Sequence, residues 1–454
     1  MKTSIDNNKY DTMLEPSDWR FSAAIVGLMK YLSYHNFDYE VDDDYILYNS
    51  EDITEDKYLE FVEYKYGNEL HHKVVENILV NEEISDEQQK IVNDKLNSNT
   101  IMKNKFKGIK FDKSNKDEIL NVIQNNRYEI IKETFRSKSN MYANYANTNQ
   151  LFNESQDFCR LAGYCIDASK KGKSTGYNFA MSSFVGHDEK EFDFIPFAFE
   201  GNREAYFIND NYTIKRLKVS NDMLSKKIQI DLDNDNKYSD ARQALFKGII
   251  ESSDFISRDV EVIFKDRDKG YFENLYLRKE SIDIFKKLKD EGIDYKTFCF
   301  SQKITDKYYL NVQKEVTDSI LNNILLDNLI ELFLKKKRDF LVAQLIKING
   351  LIRGDKDMKQ KLKGAFACAK QVAKVIENNK IDSYRQKLTS SIIFKDYDRV
   401  CQILLQLSNY SGIEFGFVYD LFDDFEDNKD LAYTFINALS KNTDKNTDNN
   451  SANN

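Results

Sequence analysis

Over residues 19–35 and 54–98, and again from about Thr317, apolar side chains recur at three- and four-residue intervals. That is the period of one helix face. In "WRFSAAIVGLMKYLSYH", Trp19, Ala23, Val26, Met29 and Leu32 keep this spacing behind Pro16-Ser17-Asp18, which offers an N-cap. An amphipathic helix is expected there. The next stretch, "FDYEVDDDYILYNS", places two aromatic and β-branched runs around a triple Asp. That predicts a β-hairpin with an acidic turn. "EDKYLEFVEYKY" and "HHKVVENILV" return to helical spacing within residues 54–98.

The middle of the chain reads differently. "KNKFKGIKFDKSNK", residues 103–116, is a basic segment punctuated by Phe106 and Phe111. Residues 137–157 are polar, Asn-rich and Tyr-bearing, and read as a long loop. Strand-like runs follow: "FDFIPFAFE", "EAYFIND", "YTIKRLKV", "KIQIDL" and "VEVIFKD". "DARQALFKGIIESS" reads as a helix among them. Beyond about Thr317, "DSILNNILLDNLIELFLKKKRDFLVAQLIKI" and three later segments sustain helical spacing. The fold class expected is α+β. Residues 1–15 form a mobile N-terminus, 16–312 a mixed domain with antiparallel strands, 313–440 an all-α bundle, and 441–454 a disordered tail.

Composition narrows the classes. The 454 residues are 41% hydrophobic and 13% aromatic, enough for a buried core. Net charge is −9, which argues against a protein coated with nucleic acid over its whole surface. A local basic groove remains open, because only the local field acts on a phosphate. Abundant Asn, Lys, Asp and Ile with only two Pro read as AT-rich coding bias, so each Lys run carries less weight. Five cysteines in a long chain do not make a disulfide framework. No signal-peptide core and no run of about eighteen apolar residues is present, and a cytoplasmic protein without a membrane partner is expected.

The stretch "DASKKGKSTGYNF" contains Gly172-Lys173-Ser174, the end of a phosphate-binding loop. The motif needs Gly where Asp167 stands, so a carboxylate would face the phosphate and ATP is disfavoured. "FGFVYD", ending at Asp420, resembles a Walker B strand but lies in helical context. Cys159 and Cys165 are separated by five residues and are weak zinc candidates, since a knuckle needs CxxC. His187 would be a third ligand, and no fourth is evident. Cys299, Cys368 and Cys401 sit in apolar runs and read as core thiols. His187-Asp188 and Glu63-x-Lys65 are fragments of nuclease motifs, read as chance and as solvated helix charges. No acyl-transfer motif is present. No cofactor and no catalytic residue is expected.

Binding chemistry remains. Lys170, Lys171 and Lys173, with Ser174, Thr175 and Asn178 as donors, suit phosphate and base-edge contacts, and Gly172 and Gly176 permit close backbone approach. Its plainer reading is a solvated loop. Lys103, Lys105 and Lys107, alternating with Phe, form a second candidate. Lys335, Lys336, Lys337 and Arg338 form a third, expected at four consecutive helix positions and so spread around the helix circumference. An ordinary basic turn and a solvated face are their respective plainer readings.

The order of features resembles a known family. It comprises the helix "DWRFSAAIVGLMKYL", the hairpin "YEVDDDYILY", a mixed region with a vestigial cysteine pair, and a terminal bundle closing in "RVCQILLQLSNYSGIEFGFVYDLFDDFEDNKDLAYTFINALSK". It looks like the large subunit of type I-B CRISPR Cascade, the family named for its CXXC–CXXC motif, over roughly residues 15–440. The resemblance implies a non-catalytic subunit that contacts the crRNA 5′ handle and other Cascade subunits. It also implies reading the protospacer-adjacent motif in double-stranded target DNA and docking a helicase–nuclease. The bundle would resemble the small Cascade subunit and guide a DNA strand. In this family it can also be made separately from an internal start, yet Met358 is the only Met within it and would discard its first helix. The chain departs from the family pattern in having only Cys159-x5-Cys165, so the zinc is expected to be lost. The alternatives are a protein-only interaction scaffold and, more weakly, a divergent nuclease or NTPase.

Overall fold

A computed structural model describes residues 1–5, 9–148, 150–152, 159–162, 188–201, 204–233, 258–354 and 357–440. The architecture is α+β: many helices around small antiparallel sheets. Two compact units divide at Leu277/Arg278. The expected bundle start, residue 313, lies inside a helix of the second unit.

Unit 1 begins with β1 (Lys2–Ser4) and β2 (Thr12–Leu14), then α1 (Trp19–His35), β3 (Glu40–Val41) and β4 (Ile46–Tyr48). The strands form one antiparallel sheet, ordered β1-β2-β4-β3. The first fifteen residues, expected to be mobile, thus supply two paired strands. The reason is local: Tyr10 and Leu14 are buried, and the Asp11 carboxylate accepts from both the amide and the hydroxyl of Ser50. The hairpin forms where the alternation placed it, closed by the Asp42 amide on the Tyr45 carbonyl.

Asp18 caps α1 by accepting from the amides of Arg20 and Phe21. The helix was expected to be amphipathic, yet every residue from Trp19 to Met29 is buried. A helix buried on all sides belongs at the centre of a domain, and α1 occupies that place, with Arg20 and Ser22 bonded at its start. It packs on the 3-10 helix Lys190–Phe197 so closely that a Cβ at Gly27 would stand 2.0 Å from the Phe194 carbonyl oxygen. The "FDFIPFAFE" run is this 3-10 segment and not a strand. Burial on every side leaves it no period of two, and Pro196 removes a ladder donor.

Next come α2 (Glu55–Tyr66), α3 (His71–Leu79), α4 (Asp86–Leu96), α5 (Thr100–Phe106), α6 (Lys116–Ser137) and the single turn α7 (Tyr142–Tyr145). A separate core holds α3–α6 together, with Val75, Leu79, Val92, Phe106, Phe111 and Ile123 at its centre. α7 and buried Met141 replace part of the loop expected over 137–157. β5 (Glu204–Asn209) precedes α8 (Ile214–Asp233), and β6 (Val260–Asp266) and β7 (Phe272–Leu277) complete a three-stranded antiparallel sheet ordered β5-β6-β7. "YTIKRLKV" and "KIQIDL", expected as strands, both lie on α8. Ile214, Leu217 and Leu224 are buried at helical spacing, and Thr213 Oγ1 accepts from the Arg216 amide at the helix start.

Unit 2 comprises α9 (Lys279–Asp290), β8 (Ser301–Thr305), β9 (Tyr308–Asn311), α10 (Val312–Leu321), α11 (Asp327–Lys335), α12 (Asp339–Arg353), α13 (Met358–Val375), α14 (Asn378–Ile393), α15 (Tyr397–Ser411), α16 (Phe417–Asp423) and α17 (Phe425–Ala438). Buried Asn349 on α12 ties three helices together. Its carbonyl accepts from the Leu326 amide at 2.7 Å, and its amide donates to Asp327 and Asp430, each at 3.0 Å. A buried polar group is tolerated when its partners are supplied in this way.

Candidate nucleic-acid interface

The charge run at 335–338 is not a helical face. α11 ends at Lys335, Lys336 caps it, Lys337 takes the left-handed conformation at φ 55°, and α12 starts at Asp339. The four basic side chains therefore leave a tight inter-helix turn and are all exposed, where a continuing helix would have spread them around its circumference. Among the described residues, no carboxylate lies within ion-pair distance of Lys335, Lys336, Lys337 or Arg338. Unpaired cations on a turn are available to an external phosphate.

The β8–β9 ribbon stands beside this turn. Lys336 Nζ lies 3.4 Å from the Lys303 carbonyl. The ribbon is a two-stranded antiparallel hairpin with a register irregularity between Lys303 and Thr305. Its base is tied down where the Val312 amide donates to the Phe300 carbonyl. Successive strand residues point to opposite faces, yet adjacent Tyr308 and Tyr309 are 54% and 56% exposed. Both faces of the ribbon are therefore open to solvent. Lys307 is exposed beside them, and Lys303 pairs with Asp306 at 2.8 Å. Aromatic rings offer stacking surface to unpaired bases, and lysines follow the backbone. The sequence reading missed this ribbon, although "KITDKYYL" carries the signal: two β-prone runs around a Thr-Asp-Lys turn.

The turn also borders a cleft of about 250 Å³, lined by Lys335 and Lys337, by Arg385, Gln386, Thr389 and Ser390 on α14, and by Phe394 just after it. Arg385 is fixed by a forked pair with the Asp339 carboxylate, and Asp382 is the acidic member of the lining. Phe394 is 80% exposed at the cleft edge. Ribbon, turn and cleft together make a cationic surface with aromatic rings at intervals.

The other sequence candidates fall elsewhere. Lys170, Lys171, Lys173, Ser174, Thr175 and Asn178 lie outside the described residues, as do Cys165 and His187. The stem of that segment is described. Arg160 and Asp188 flank it and are joined by paired contacts of 3.1 Å, and Arg160 also meets Asp193 at 2.5 Å. Tyr142 donates to Asp193, and burial pushes the Asp193 carboxyl upward against the pull of Arg160. Arg160, Asp188 and Asp193 thus form a buried ion triad next in sequence to the stretch that carries the lysines.

Lys103 and Lys107 are exposed on and just after α5, and Lys105 pairs with Glu129. Phe106 and Phe111 are core residues, so no ring of that segment faces solvent, and Asn104, Asp112 and Ser114 are exposed among its lysines. Glu63, expected as a solvated charge, is half-buried and held by His72 and Arg127, with Arg127 also reaching Glu76. Asp420 of the Walker-like run is on α16 and pairs with Lys361. Cys159 is buried near Arg20, and burial pushes its thiol up to about 11. Cys401 is buried, but Cys299 and Cys368 are only partly so. Among the described residues, no group of three or more His, Cys, Asp or Glu is placed to hold a metal ion, and no helix is long and apolar enough to cross a membrane.

Residues 10–439 match the model of a family described as CRISPR-associated protein Csx8. The chain belongs to the Csx8 family. No curated protein and no solved structure matches it. Csx8 membership makes this a CRISPR-associated protein, and it spans both units, so the ribbon, the basic turn and the Arg160 triad all lie within the matched region.

Proposed function

We propose that this Csx8 protein is a non-catalytic large subunit of a type I-B CRISPR effector complex. In this reading it binds the crRNA 5′ handle, recognises the adjacent motif in double-stranded target DNA, contacts other Cascade subunits and docks the helicase–nuclease. The observation that carries the nucleic-acid part is the joining of the Lys335–Arg338 turn to the Tyr308–Tyr309 ribbon. A local cationic surface on a chain of net charge −9 is the expected form for a protein that grips one stretch of nucleic acid. Family membership supports the CRISPR setting. Division of labour follows from chemistry: guide pairing reads the target sequence, and protein is needed only for a short motif and for strand handling.

The test is reconstitution. The chain is co-expressed with type I-B backbone subunits and a CRISPR array, and the purified complex is challenged with duplex DNA. Incorporation into an RNA-bearing particle that binds motif-containing duplex in preference to motif-less duplex is expected. A chain that purifies without nucleic acid and stays out of the particle would make it a protein-only scaffold. ATP turnover or DNA cleavage by the chain alone would sink the non-catalytic assignment.

A further inference from the structure

Unit 2 carries a second concavity of different character, outside the face just described. α12 and α13 leave an open groove of about 590 Å³ between them. Its apolar lining comes from Ile346, Leu351, Met358 and Leu362 with the exposed ring of Phe366, and Thr434 and Asn437 of α17 add polar groups. Lys287, Lys347, Lys359 and Lys363 stand around it. The acidic lining residue, Glu291, is engaged by Lys359 at 2.9 Å. Lys359 is exposed and Glu291 half-buried, with 64% and 30% of the two side chains open, and pairs open to solvent are worth little.

Gly350 supplies an independent observation. It sits inside α12, where glycine is less stable than alanine. A Cβ built on it meets no atom within 4 Å, so neither packing within the chain nor a positive φ explains it. A helical glycine lining an open groove lets a second backbone approach closely. The groove runs from Ala343 to Gly354 along α12, roughly 16 Å or three helical turns.

We propose that this groove docks an acidic amphipathic helix of a partner protein. Apolar side chains at helical spacing would enter the apolar floor, and flanking carboxylates would meet the lysines, with Lys359 exchanging Glu291 for the incoming group. The choice of a helix over a nucleic-acid strand rests on the lining. Bases need flat rings to stack on, and this groove offers one ring, Phe366, against Ile346, Leu351, Met358 and Leu362.

The probe is a fluorescein-labelled synthetic helical peptide of about fourteen residues, long enough for the groove, with Leu at i, i+3 and i+7 and Glu between. Saturable binding to the full chain is expected, and a matched peptide with Lys in place of Glu should not bind. Gly350→Leu, which fills the groove while raising helix propensity, should weaken binding at least about tenfold. The double variant Lys359→Glu with Lys363→Glu should do the same. Far-UV spectra confirm that both stay folded. A variant of Lys335, Lys336 and Arg338 should bind the peptide like the unmodified chain, which separates this inference from the nucleic-acid proposal. No binding of the acidic peptide, or binding indifferent to the groove substitutions, overturns it. So does loss of oligothymidylate binding in Gly350→Leu with peptide binding intact.

Discussion

Lys336 reaches the main-chain carbonyl of Lys303 at 3.4 Å, and so joins the α11–α12 turn to the β8–β9 ribbon. The turn then brings Lys335, Lys336, Lys337 and Arg338 beside a ribbon that carries Lys307 and, on its opposite faces, the exposed rings of Tyr308 and Tyr309.

Replacing Lys335, Lys336 and Arg338 by alanine should weaken binding to duplex DNA. It should also make the plot of log affinity against log salt shallower by up to about 2.7, at roughly 0.9 for each phosphate that is no longer neutralised. Fluorescence anisotropy between low and moderate salt reads both quantities. An unchanged slope would remove this turn from the interface.

Tyr308→Ala with Tyr309→Ala should act chiefly on single strands. Each missing base stack costs about 1–3 kcal/mol, with little change in the salt slope because no charge is removed. Equal losses on single-stranded and duplex DNA would mean that the rings do not stack on bases.

Gly27→Ala should destabilise unit 1 by about 3 kcal/mol or more, at the upper end for overpacking. The added carbon would meet backbone at Phe194, which cannot rotate away. The urea midpoint measures this, and a change below about 1 kcal/mol would show that α1 shifts freely.

Arg160→Met should cost about 3–5 kcal/mol, because it strands two buried carboxylates, Asp188 and Asp193. The triple variant Arg160→Met, Asp188→Asn, Asp193→Asn should recover part of the loss. No recovery would argue that geometry rather than charge is at stake.

Asp430 sets a pH dependence. Burial pushes its carboxyl up from 3.8 to about 6, opposed by the Asn349 amide and by Arg353. A folded-state value above the unfolded one means that the folded chain binds the proton more tightly. Stability from this group is then present below about pH 4 and lost as pH rises towards 6. Asp430→Asn has no proton to lose. The variant should therefore gain on the unmodified chain by about 2–3 kcal/mol between pH 4 and 7. Denaturant melts at the two pH values provide the check, and a pH-independent difference refutes the assignment.

Legibility in the sequence followed burial. The Asp18 cap and the acidic hairpin could be read directly, because each depends on neighbours in the chain. The 190–199 run could not, since total burial erases periodicity. α8 was misread because Thr213, Ile214 and Val219 lend it a strand-like composition, while its helical signal lies in the spacing of Ile214, Leu217 and Leu224. The basic run at 335–338 was visible as charge. Its turn was not, because Lys337 takes a left-handed conformation that glycine or asparagine would have announced. The ribbon escaped notice because its tyrosines face solvent, and pattern reading looks for a buried side.

The fit of Gly27 against Phe194 has a consequence in time. The neighbouring Lys30–Phe197 contact spans 167 positions. At about 5–20 residues per second, a ribosome takes roughly ten to thirty seconds to make that stretch. For that interval α1 has been synthesised while the segment that covers it has not. Nascent chains halted before residue 190 would carry α1 without its 3-10 cover, and soluble yield should respond to translation speed and to chaperones that shield such a surface.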